Sequence, residues 1–497
     1  MNEQLIKLWA RRLVPTLSLL ATCLGYLQSH HYPLLTEEVF ILLAGACVLG
    51  AGIGYALEWA PDWFTALVFG ALIVLAAVLI SNVLTWIDGN VISNNTLRRI
   101  FKLLMFVVLP LGLAVAMRRD IALILGGALI VFIVGILAFP QREVFVWGRD
   151  APSPKPPHRL VLHIIFDEFA GNAGIGTTFP EGNRLRRDVS TFFTHRGFRL
   201  YEGAFSAYPH TDLSLSALFS LARPMPKDMP RYGHPYAWFE KLHDGGYRII
   251  YIGNEFVPVC RDPEDVKRME RCVLYPAMNL GIIRVSNISP LQKAYAIGEL
   301  ALKKVPYFFQ LVRYRRTRAI TGWGGTLRPL EDAKATLLHD GGDVALVLHV
   351  LLPHSAIVYD ENCAWHSEQA FLVNASWHGA QRQVYERAYA DQVRCTLKQL
   401  DTLLQIVDRR WPDAVVIVHG DHGLRLEPFT TSREDVRLRH AVLFAVRAKS
   451  VKPGVEPQDE NLQMLFARYA AGRQISNSRL LYGDDLWDSN KALEYPQ

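Results

Sequence analysis

Two apolar segments of the sequence end directly on side chains that bind metal ions. Asp167 and Glu168 follow the first segment, residues 160–166. Asp421 and His422 follow the second, residues 414–419 with Gly420. Carboxylate oxygens and imidazole nitrogens at the carboxyl ends of buried strands are what a metal site in an open α/β sheet requires. Bringing anionic oxygens together without a cation would be costly. The pattern therefore predicts a metal-binding enzyme.

A hydroxyl group that can act as a nucleophile lies between these two segments. Thr211 stands in a turn ahead of an apolar stretch, residues 212–221, for which we expect a helix. Threonine at this position also suits a helix N-cap, and a helix amino terminus stabilises negative charge beside it. Coordination to a metal would lower the pKa of the hydroxyl further. Thr211 is thus our candidate nucleophile.

The elements that must position these residues alternate between apolar strands and amphipathic helices. Strands are expected at residues 160–166, 248–252, 344–350, 414–419 and 441–446, and helices at 212–221, 234–244 and 382–408. The last helix has apolar residues three and four positions apart, from Tyr385 to Leu404. Strands that are apolar on both faces and alternate with helices are typical of an α/β fold with a mostly parallel sheet flanked by helices.

The order Asp167-Glu168, Thr211, Asp421-His422-Gly423 resembles the alkaline phosphatase/sulfatase superfamily. Membrane-anchored members of this superfamily include the lipoteichoic acid synthases and the lipid A phosphoethanolamine transferases. The resemblance extends over roughly residues 158 to 450 in short, dispersed motifs. It implies one or more divalent cations, with Zn, Mn, Mg and Ca not distinguished, and the implied ligands are Asp167, Glu168, Thr211, Asp421 and His422.

Two histidines are implied to bind substrate. His354, in Leu352-Pro353-His354 after the strand at 344–350, resembles the histidine that contacts the transferred group in this superfamily, and His210 precedes the nucleophile. The signature of the formylglycine sulfatases is missing, because Leu213 and Leu215 replace its proline and arginine. This departure argues against sulfate-ester hydrolysis.

The first 140 residues are much more apolar than the rest of the 497-residue chain. Their five apolar segments lie near residues 13–28, 39–57, 64–87, 100–117 and 121–139. Because a membrane span takes about 20 apolar residues, most of them qualify; a cleaved signal peptide is the alternative for the first. Lys7, Arg11 and Arg12 place the amino terminus in the cytoplasm, so five spans put the following domain outside. The expected location is the bacterial inner (cytoplasmic) membrane, with several spans and with the catalytic domain in the periplasm or outside the cell.

The expected domains are a transmembrane domain at residues 1–145, a Pro-rich linker at 146–157 and a sulfatase-like domain at 158–497. Two cysteine pairs in the last domain, Cys260 with Cys272 and Cys363 with Cys395, are spaced so that disulfides can form. Four free thiols are the alternative.

The basic and aromatic segment at residues 303–316 fits an interface with anionic lipid, or else a solvated surface. The net charge of +6 agrees with an interface with anionic lipid but does not decide between the two interpretations. Nucleic acid is not an expected partner outside the membrane, and the sequence leaves the oligomeric state open.

The favoured function is a metal-dependent transferase that moves a phosphorus-containing head group, of the phosphoethanolamine or phosphoglycerol type, from a membrane phospholipid to an envelope lipid or glycan. A phosphoric or sulfuric ester hydrolase of the same superfamily is the alternative. A third possibility is a degenerate domain that only binds a glycan or a protein, although no candidate ligand is evidently lost.

Overall fold

The computed structural model describes most of the chain. The described residues are 3–30, 32–80, 108–116, 121–138, 145–148, 156–176, 179, 181–221, 236–254, 257, 259–261, 263–275, 283, 289–308, 327–354, 357–364, 380–425 and 433–471. The chain forms two compact units, Met1–Glu143 with Ile283–Thr321 and Val144–Ile282 with Gly322–Gln497.

The first unit is helical. Its helices are α1 (Glu3–Ser29), α2 (Glu37–Leu57), α3 (Asp62–Ile80), α4 (Leu109–Ala116), α5 (Ile121–Ala138) and α10 (Pro290–Phe308). Helices therefore occur at all five predicted apolar segments. Among the described residues, Glu37–Leu57 and Asp62–Leu79 are long and apolar enough to cross a membrane. The five-span topology stays a prediction, because residues 81–107 lie outside the described part.

Helices α1 and α2 pack closely in this unit. Their backbones approach at two glycines, where a Cβ on Gly50 would lie 2.4 Å from Cα of Thr16 and one on Gly54 would lie 2.3 Å from the Arg12 carbonyl oxygen. Arg12 also donates to Glu58 just after α2, with Nη2 to Oε2 at 2.8 Å. The start of α1 and the end of α2 are therefore at the same end of the unit.

The second unit is built on one nine-stranded sheet, with strands in the order β1-β5-β4-β6-β2-β7-β8-β3-β9. The strands are β1 (Phe145–Gly148), β2 (Pro157–Phe166), β3 (Arg199–Phe205), β4 (Arg248–Asn254), β5 (Met269–Tyr275), β6 (Gly342–Val350), β7 (Val415–Gly420), β8 (Phe444–Arg447) and β9 (Gly454–Asn461). The five central strands β5, β4, β6, β2 and β7 are parallel, whereas β1 and β8 pair antiparallel with their neighbours. The predicted fold class is confirmed.

Helices cover both faces of the sheet. They are α6 (Gly182–His195), α7 (Thr211–Phe219), α8 (Ala237–Asp244), α9 (Pro263–Arg268), α11 (Arg328–His339), α12 (Ala380–Arg410), α13 (Arg433–His440) and α14 (Leu462–Ala471). Alternate residues of β2 point to opposite faces, as in any strand: Leu162 and Ile164 pack with α6, α11 and α12, whereas Val161 and Ile165 pack with α7, α8 and α14. The central strand is thus buried on both sides.

Two segments near the expected domain boundaries have defined places in the structure. Residues 145–148, of which 146–148 were expected in the linker, form β1 at the sheet edge, where their backbone pairs antiparallel with β5. Residues Ile283–Thr321, expected in the sulfatase-like domain, belong to the helical unit through α10. Part of the basic segment 303–316 lies in α10, and residues 309–316 lie outside the described residues.

Candidate metal and nucleophile site

The strand register brings the two ligand segments together. β2 lies between β6 and β7, and Phe166 at its end pairs with Gly420 at the end of β7. The next residues, Asp167 and Asp421, therefore leave the sheet side by side. The Asp167 amide donates to the carbonyl of Val350 at 2.9 Å, which ties the first turn to the end of β6.

Asp167, Asp421 and His422 form a group that can hold a metal ion. One ligand atom from each lies within 4.8 Å of the others, and all three residues are buried. His422 Nε2 is 3.5 Å from Asp167 Oδ1 and 3.5 Å from Asp421 Oδ2. Three of the predicted ligands are thus close enough to share one cation.

The bonding of the carboxylates fits a cation. Within the described part of the chain, Asp167 Oδ1, Asp421 Oδ2 and Glu168 Oε2 are all buried and lack a hydrogen-bond partner. A buried anionic oxygen without a partner is strongly unfavourable. A divalent cation in contact with these oxygens would remove that cost, so the residues present fit the metal that the motifs imply.

The electrostatics of the group agree with this assignment. Burial, together with the neighbouring carboxylates Asp421 and Glu168, raises the pKa of Asp167 well above its ordinary value. Burial also raises the pKa of Asp421. For His422, burial and the nearby Arg425 guanidinium lower the pKa well below its ordinary value, so its ring is neutral and able to coordinate a metal.

Thr211 is the first residue of α7, and its side chain is buried beside this group. Its Oγ1 lies 3.2 Å from His422 Nε2, and its hydrogen bonding lowers the pKa of both Asp167 and Asp421, against the larger opposing effect of burial. Ser214, one turn later, donates from Oγ to the backbone carbonyl of Asp421 at 2.5 Å. This bond fixes the start of α7 against the loop that carries the ligands.

Glu168 lies beside the metal group and contacts Arg425. It lies outside the three-residue metal group, and its Oε1 instead accepts a 2.8 Å hydrogen bond from Arg425 Nε. Its backbone has a φ of 59°, in the left-handed region that non-glycine residues rarely adopt. In this conformation its amide donates to Asp421 Oδ1 at 3.1 Å, while its carbonyl accepts from the Tyr389 hydroxyl at 2.7 Å. Metal ligation through Glu168 Oε2 stays a prediction.

Arg425 is the residue of this site that the sequence reasoning missed. Its Nη1 lies 3.2 Å from His210 Nδ1 and its Nη2 lies 3.2 Å from His354 Nε2. Both histidines that were expected to bind substrate therefore meet at one guanidinium. The available signal was a cation two residues after Asp421-His422-Gly423, in the loop where that motif ends.

Two glycines around Asp421 allow the loops to approach closely. A Cβ on Gly420 would lie 2.5 Å from the Phe169 carbonyl oxygen, and one on Gly423 would lie 2.0 Å from that of Leu438.

The other histidines near the strand ends belong to the core. His349 Nδ1 lies 3.0 Å from the Asn254 side-chain nitrogen, and His163 Nε2 lies 2.8 Å from His419 Nε2. His440 bonds the carbonyl of Ser206 through Nδ1 at 2.8 Å. His366 lies outside the described residues.

Both proposed cysteine pairs form disulfides in the structure. Cys260 is bonded to Cys272, and Cys363 is bonded to Cys395. Cys23 and Cys47 are free thiols in α1 and α2. The second disulfide joins the segment after His354 to α12, the helix whose Tyr389 holds the turn at Glu168.

No protein-family model and no curated protein matches the chain. Solved structures do match. One is the zinc complex of the C-terminal periplasmic domain of EcEptC from Escherichia coli, with 12% sequence identity and a TM-score of 0.37. The match covers 62% of this chain and 76% of that chain. A 2-O GAG sulfatase matches with 14% identity and a TM-score of 0.35, and the match covers 65% of this chain and 72% of that chain. The phosphonate monoester hydrolase of Agrobacterium radiobacter matches with 10% identity and a TM-score of 0.36, and the match covers 62% of this chain and 72% of that chain.

Among solved structures, the chain is thus similar to a periplasmic domain, a sulfatase and a phosphonate monoester hydrolase.

Proposed function

We propose that this protein is a membrane-anchored, metal-dependent transferase that moves a phosphorus-containing head group from a phospholipid to a lipid or glycan of the cell envelope. The observation that supports the proposal is the buried Thr211 hydroxyl, 3.2 Å from His422 Nε2. It lies beside Asp167 and Asp421, whose buried atoms Oδ1 and Oδ2, respectively, have no hydrogen-bond partner among the described residues. A hydroxyl placed in this way has acceptors for its proton on several sides.

Asp167, Asp421 and His422 would hold the metal ion. When bound, a divalent cation lowers the pKa of a neighbouring hydroxyl and neutralises negative charge on phosphoryl oxygens. Glu168 and Ser214 keep these ligands in place, the first through its backbone amide and the second through the carbonyl of Asp421.

The proposed reaction has two steps, transfer of the head group to Thr211 and then transfer to the acceptor. Thr211 Oγ1 forms a bond to the donor phosphorus while the bond from phosphorus to the lipid oxygen breaks, and the threonine proton ends on the departing diacylglycerol hydroxyl. An acceptor hydroxyl then attacks the phosphothreonine, the Oγ1–phosphorus bond breaks, and the acceptor proton returns to Thr211. The buried amino terminus of α7 favours the negative charge of the intermediate.

The helical unit supports a lipid donor. Its helices present large apolar side chains outward, including Val48, Leu49 and Val131, which are 76%, 59% and 73% exposed. An outward-facing apolar surface of this kind is expected in a bilayer and unfavourable in water. An anchor in the membrane would hold the site at the surface where the donor resides.

The test is an assay of full-length protein in liposomes that contain a phospholipid labelled in both head group and acyl chain. We expect labelled diacylglycerol to appear together with head-group label on an added envelope lipid or glycan fraction. Thr211→Ala should abolish both products, whereas the matched control Thr194→Ala, whose hydroxyl donates to the backbone carbonyls of Ser190 and Thr191 in its own helix, should not. Label that reaches only water would identify a hydrolase, and full activity of Thr211→Ala would refute the nucleophile assignment.

A further inference from the structure

A polar cavity lies apart from the metal group, at the edge of the sheet where β3 pairs with β9. Its volume is about 550 Å³, and its walls come from α6, β3, β9, α13 and the segment that follows the turn at Glu168. Its lining residues do not include Asp167, Thr211, Asp421 or His422. Cavities of this size hold small ligands, and the proposed reaction makes no use of this one.

The pairing of the two strands places Glu202 in the cavity wall. β3 and β9 run parallel, with Tyr201 paired to Glu456 and Gly203 paired to Asp459. Two residues of β9 therefore lie opposite Glu202, which makes a β-bulge at the sheet edge. Gly203 also lines the cavity, and a Cβ there would lie 2.5 Å from Asp459 Oδ1. The glycine thus leaves room for the exposed Asp459 carboxylate in the same wall.

Asn172 is a buried polar residue in the wall, with 8% of its surface exposed. Its side-chain nitrogen donates to Ser190 Oγ at 2.7 Å and to Glu202 Oε1 at 2.9 Å, and Ser190 Oγ donates to Glu202 Oε1 at 3.0 Å. Asn172 Oδ1 is buried and has no hydrogen-bond partner among the described residues. A buried amide oxygen of this kind costs free energy unless a donor reaches it. This part of the wall is therefore rich in acceptors and short of donors.

Three arginines in the wall, Arg186, Arg187 and Arg437, supply positive charge. Arg437 is fixed by its Nε, which donates to the Ala173 carbonyl at 2.7 Å, and by the ring of Phe205, whose centroid is 5.4 Å from the guanidinium carbon. Its two outer amino groups make no hydrogen bond or ion pair with any described residue, and neither does the exposed side chain of Arg187. Two guanidinium groups are therefore open to an anion.

The groups in the wall select the class of ligand. Three arginines against Glu202 and Asp459 give the wall a charge of 3 − 2 = +1, which favours an anion. The carboxylates and Asn172 Oδ1 accept hydrogen bonds, so they suit hydroxyl groups. The described residues that line the cavity include no aromatic ring and no large aliphatic side chain, which disfavours stacked bases and acyl chains. A molecule with several hydroxyl groups and one acidic group meets these conditions.

We propose that this cavity is a second binding site, and that its ligand is an anionic sugar that carries a phosphate or a carboxylate. The acidic group binds Arg187 and Arg437, because a guanidinium offers paired donors that fit the oxygens of either acid. The sugar hydroxyls donate to Glu202 and Asp459. The site makes and breaks no bond, so it holds the protein on an anionic glycan whether or not Thr211 transfers a head group.

The test is calorimetric titration of full-length protein in detergent with four probes, which are glucose 6-phosphate, glucuronate, glucose and inorganic phosphate. We expect saturable binding of at least one of the two sugar acids. Its affinity should exceed that of glucose and of inorganic phosphate by roughly 10-fold, because only a sugar acid uses both the arginines and the acceptors. The tighter of the two sugar acids identifies the acidic group.

Two variants of the cavity and one control locate the binding. Arg187→Glu reverses the charge of an exposed side chain without an internal partner, so it should fold normally and weaken binding by roughly 10-fold or more. Arg437→Gln should weaken binding to a similar extent, and Arg187→Glu carries the test by itself if Arg437→Gln does not fold. Arg387→Glu is the matched control, since it makes the same charge change on an exposed arginine of α12 outside the cavity; its affinity should equal that of wild type.

Asp421→Asn separates this site from the metal group. It should bind the sugar acid as wild type does, because Asp421 is not in the cavity wall; loss of binding would place the ligand at the metal group and refute the second site. Wild-type affinity of Arg187→Glu, or no binding of either sugar acid to wild type, refutes the site as well. Inorganic phosphate that binds as tightly as the sugar acids refutes the sugar as ligand. The activity of Thr211→Ala changes none of these outcomes, so the proposed function stands or fails separately.

Discussion

The three carboxylates of the site differ in what surrounds each of them. Asp167 and Asp421 face one another, and burial raises the pKa of both. Glu168 has a cation beside it: although burial opposes the effect, His354 and Arg425 lower its pKa to about 2. The adjacent residues Asp167 and Glu168 therefore have pKa values shifted in opposite directions. Asp167 is suited to bind a metal, and Glu168 is suited to pair with Arg425.

The raised pKa values predict how the metal-free protein responds to pH. Because the folded state binds protons at Asp167 and Asp421 more tightly than the unfolded state, its stability decreases as the pH rises through the raised pKa values. Asp421→Asn removes one of the repelling charges. With metal chelated, we expect the Tm of Asp421→Asn to exceed that of wild type at mildly alkaline pH, with the difference shrinking toward about pH 4.

Added metal should reverse this order. A divalent cation that binds only the folded state stabilises wild type, whereas Asp421→Asn should show reduced metal content and no turnover. The exposed residue Asp413 provides the control, and Asp413→Asn should behave as wild type with and without metal. Equal metal content and activity in wild type and Asp421→Asn would place the metal site elsewhere.

At the scale of elements, the site depends on close packing between loops and helix ends. The Gly423 amide donates to the Arg439 carbonyl of α13 at 2.8 Å, and there is no room for a side chain between the two segments. The ligand loop is thereby fixed to α13, just as Ser214 fixes it to α7. The geometry of the metal group is a property of three elements rather than of one motif.

We therefore expect Gly423→Ala to be disruptive. Its Cβ would lie 2.0 Å from the Leu438 carbonyl oxygen, so α13 or the ligand loop must move, at a cost of about 1–3 kcal/mol. Thermal unfolding should show a lower Tm, and metal content and turnover should both fall. Gly298→Ala is the control, because its nearest neighbour is 3.9 Å away. A Gly423→Ala protein with normal stability and activity would contradict the close approach.

At the scale of the whole molecule, the proposed topology joins a helical anchor to a domain outside the cytoplasm. Arg12 pairs with Glu58, so the start of α1 and the end of α2 are at the same end of the helical unit, as alternating spans require. Positive residues at that end indicate the cytoplasmic side. This orientation is a proposal that two independent measurements can examine.

The first measurement is a reporter fusion. An enzyme that is active only in the periplasm, fused at residue 497, should be active, because five spans from a cytoplasmic start end outside. The same reporter fused at residue 60, between α2 and α3, should be inactive and serves as the control. The opposite pattern would mean that the number of spans or the orientation is wrong.

The second measurement counts thiols. In unreduced, denatured protein, a maleimide should label two of the six cysteines, Cys23 and Cys47, because the other four are paired. After reduction all six should react. Disulfides persist in an oxidising compartment and are rare in the cytosol. Labelling of all six cysteines before reduction in freshly extracted protein would contradict the periplasmic location.

The sequence by itself determined those parts of the protein that depend on local pattern. Apolar runs that end on Asp167 and Asp421 indicated the strands and the meeting of these two residues, because the carboxyl ends of parallel strands meet at one edge. The apolar positions from Tyr385 to Leu404 likewise gave the long helix α12, whose buried face they form. β3, β5 and β9 were missed, since their sequences mix charged and apolar residues and only pairing makes them strands.

Only the tertiary structure decided which side chains meet. Glu168 and Arg425 are separated by 257 residues, and their pairing follows from the order of β2 and β7 in the sheet together with a left-handed turn at Glu168. Sequence pattern carries no information about such a contact, because any of the 53 lysines and arginines has the required charge. The approach of Asp167 to Asp421 and His422 could be predicted since each segment follows its own strand, whereas Arg425 meets Glu168, His210 and His354 only where distant loops converge.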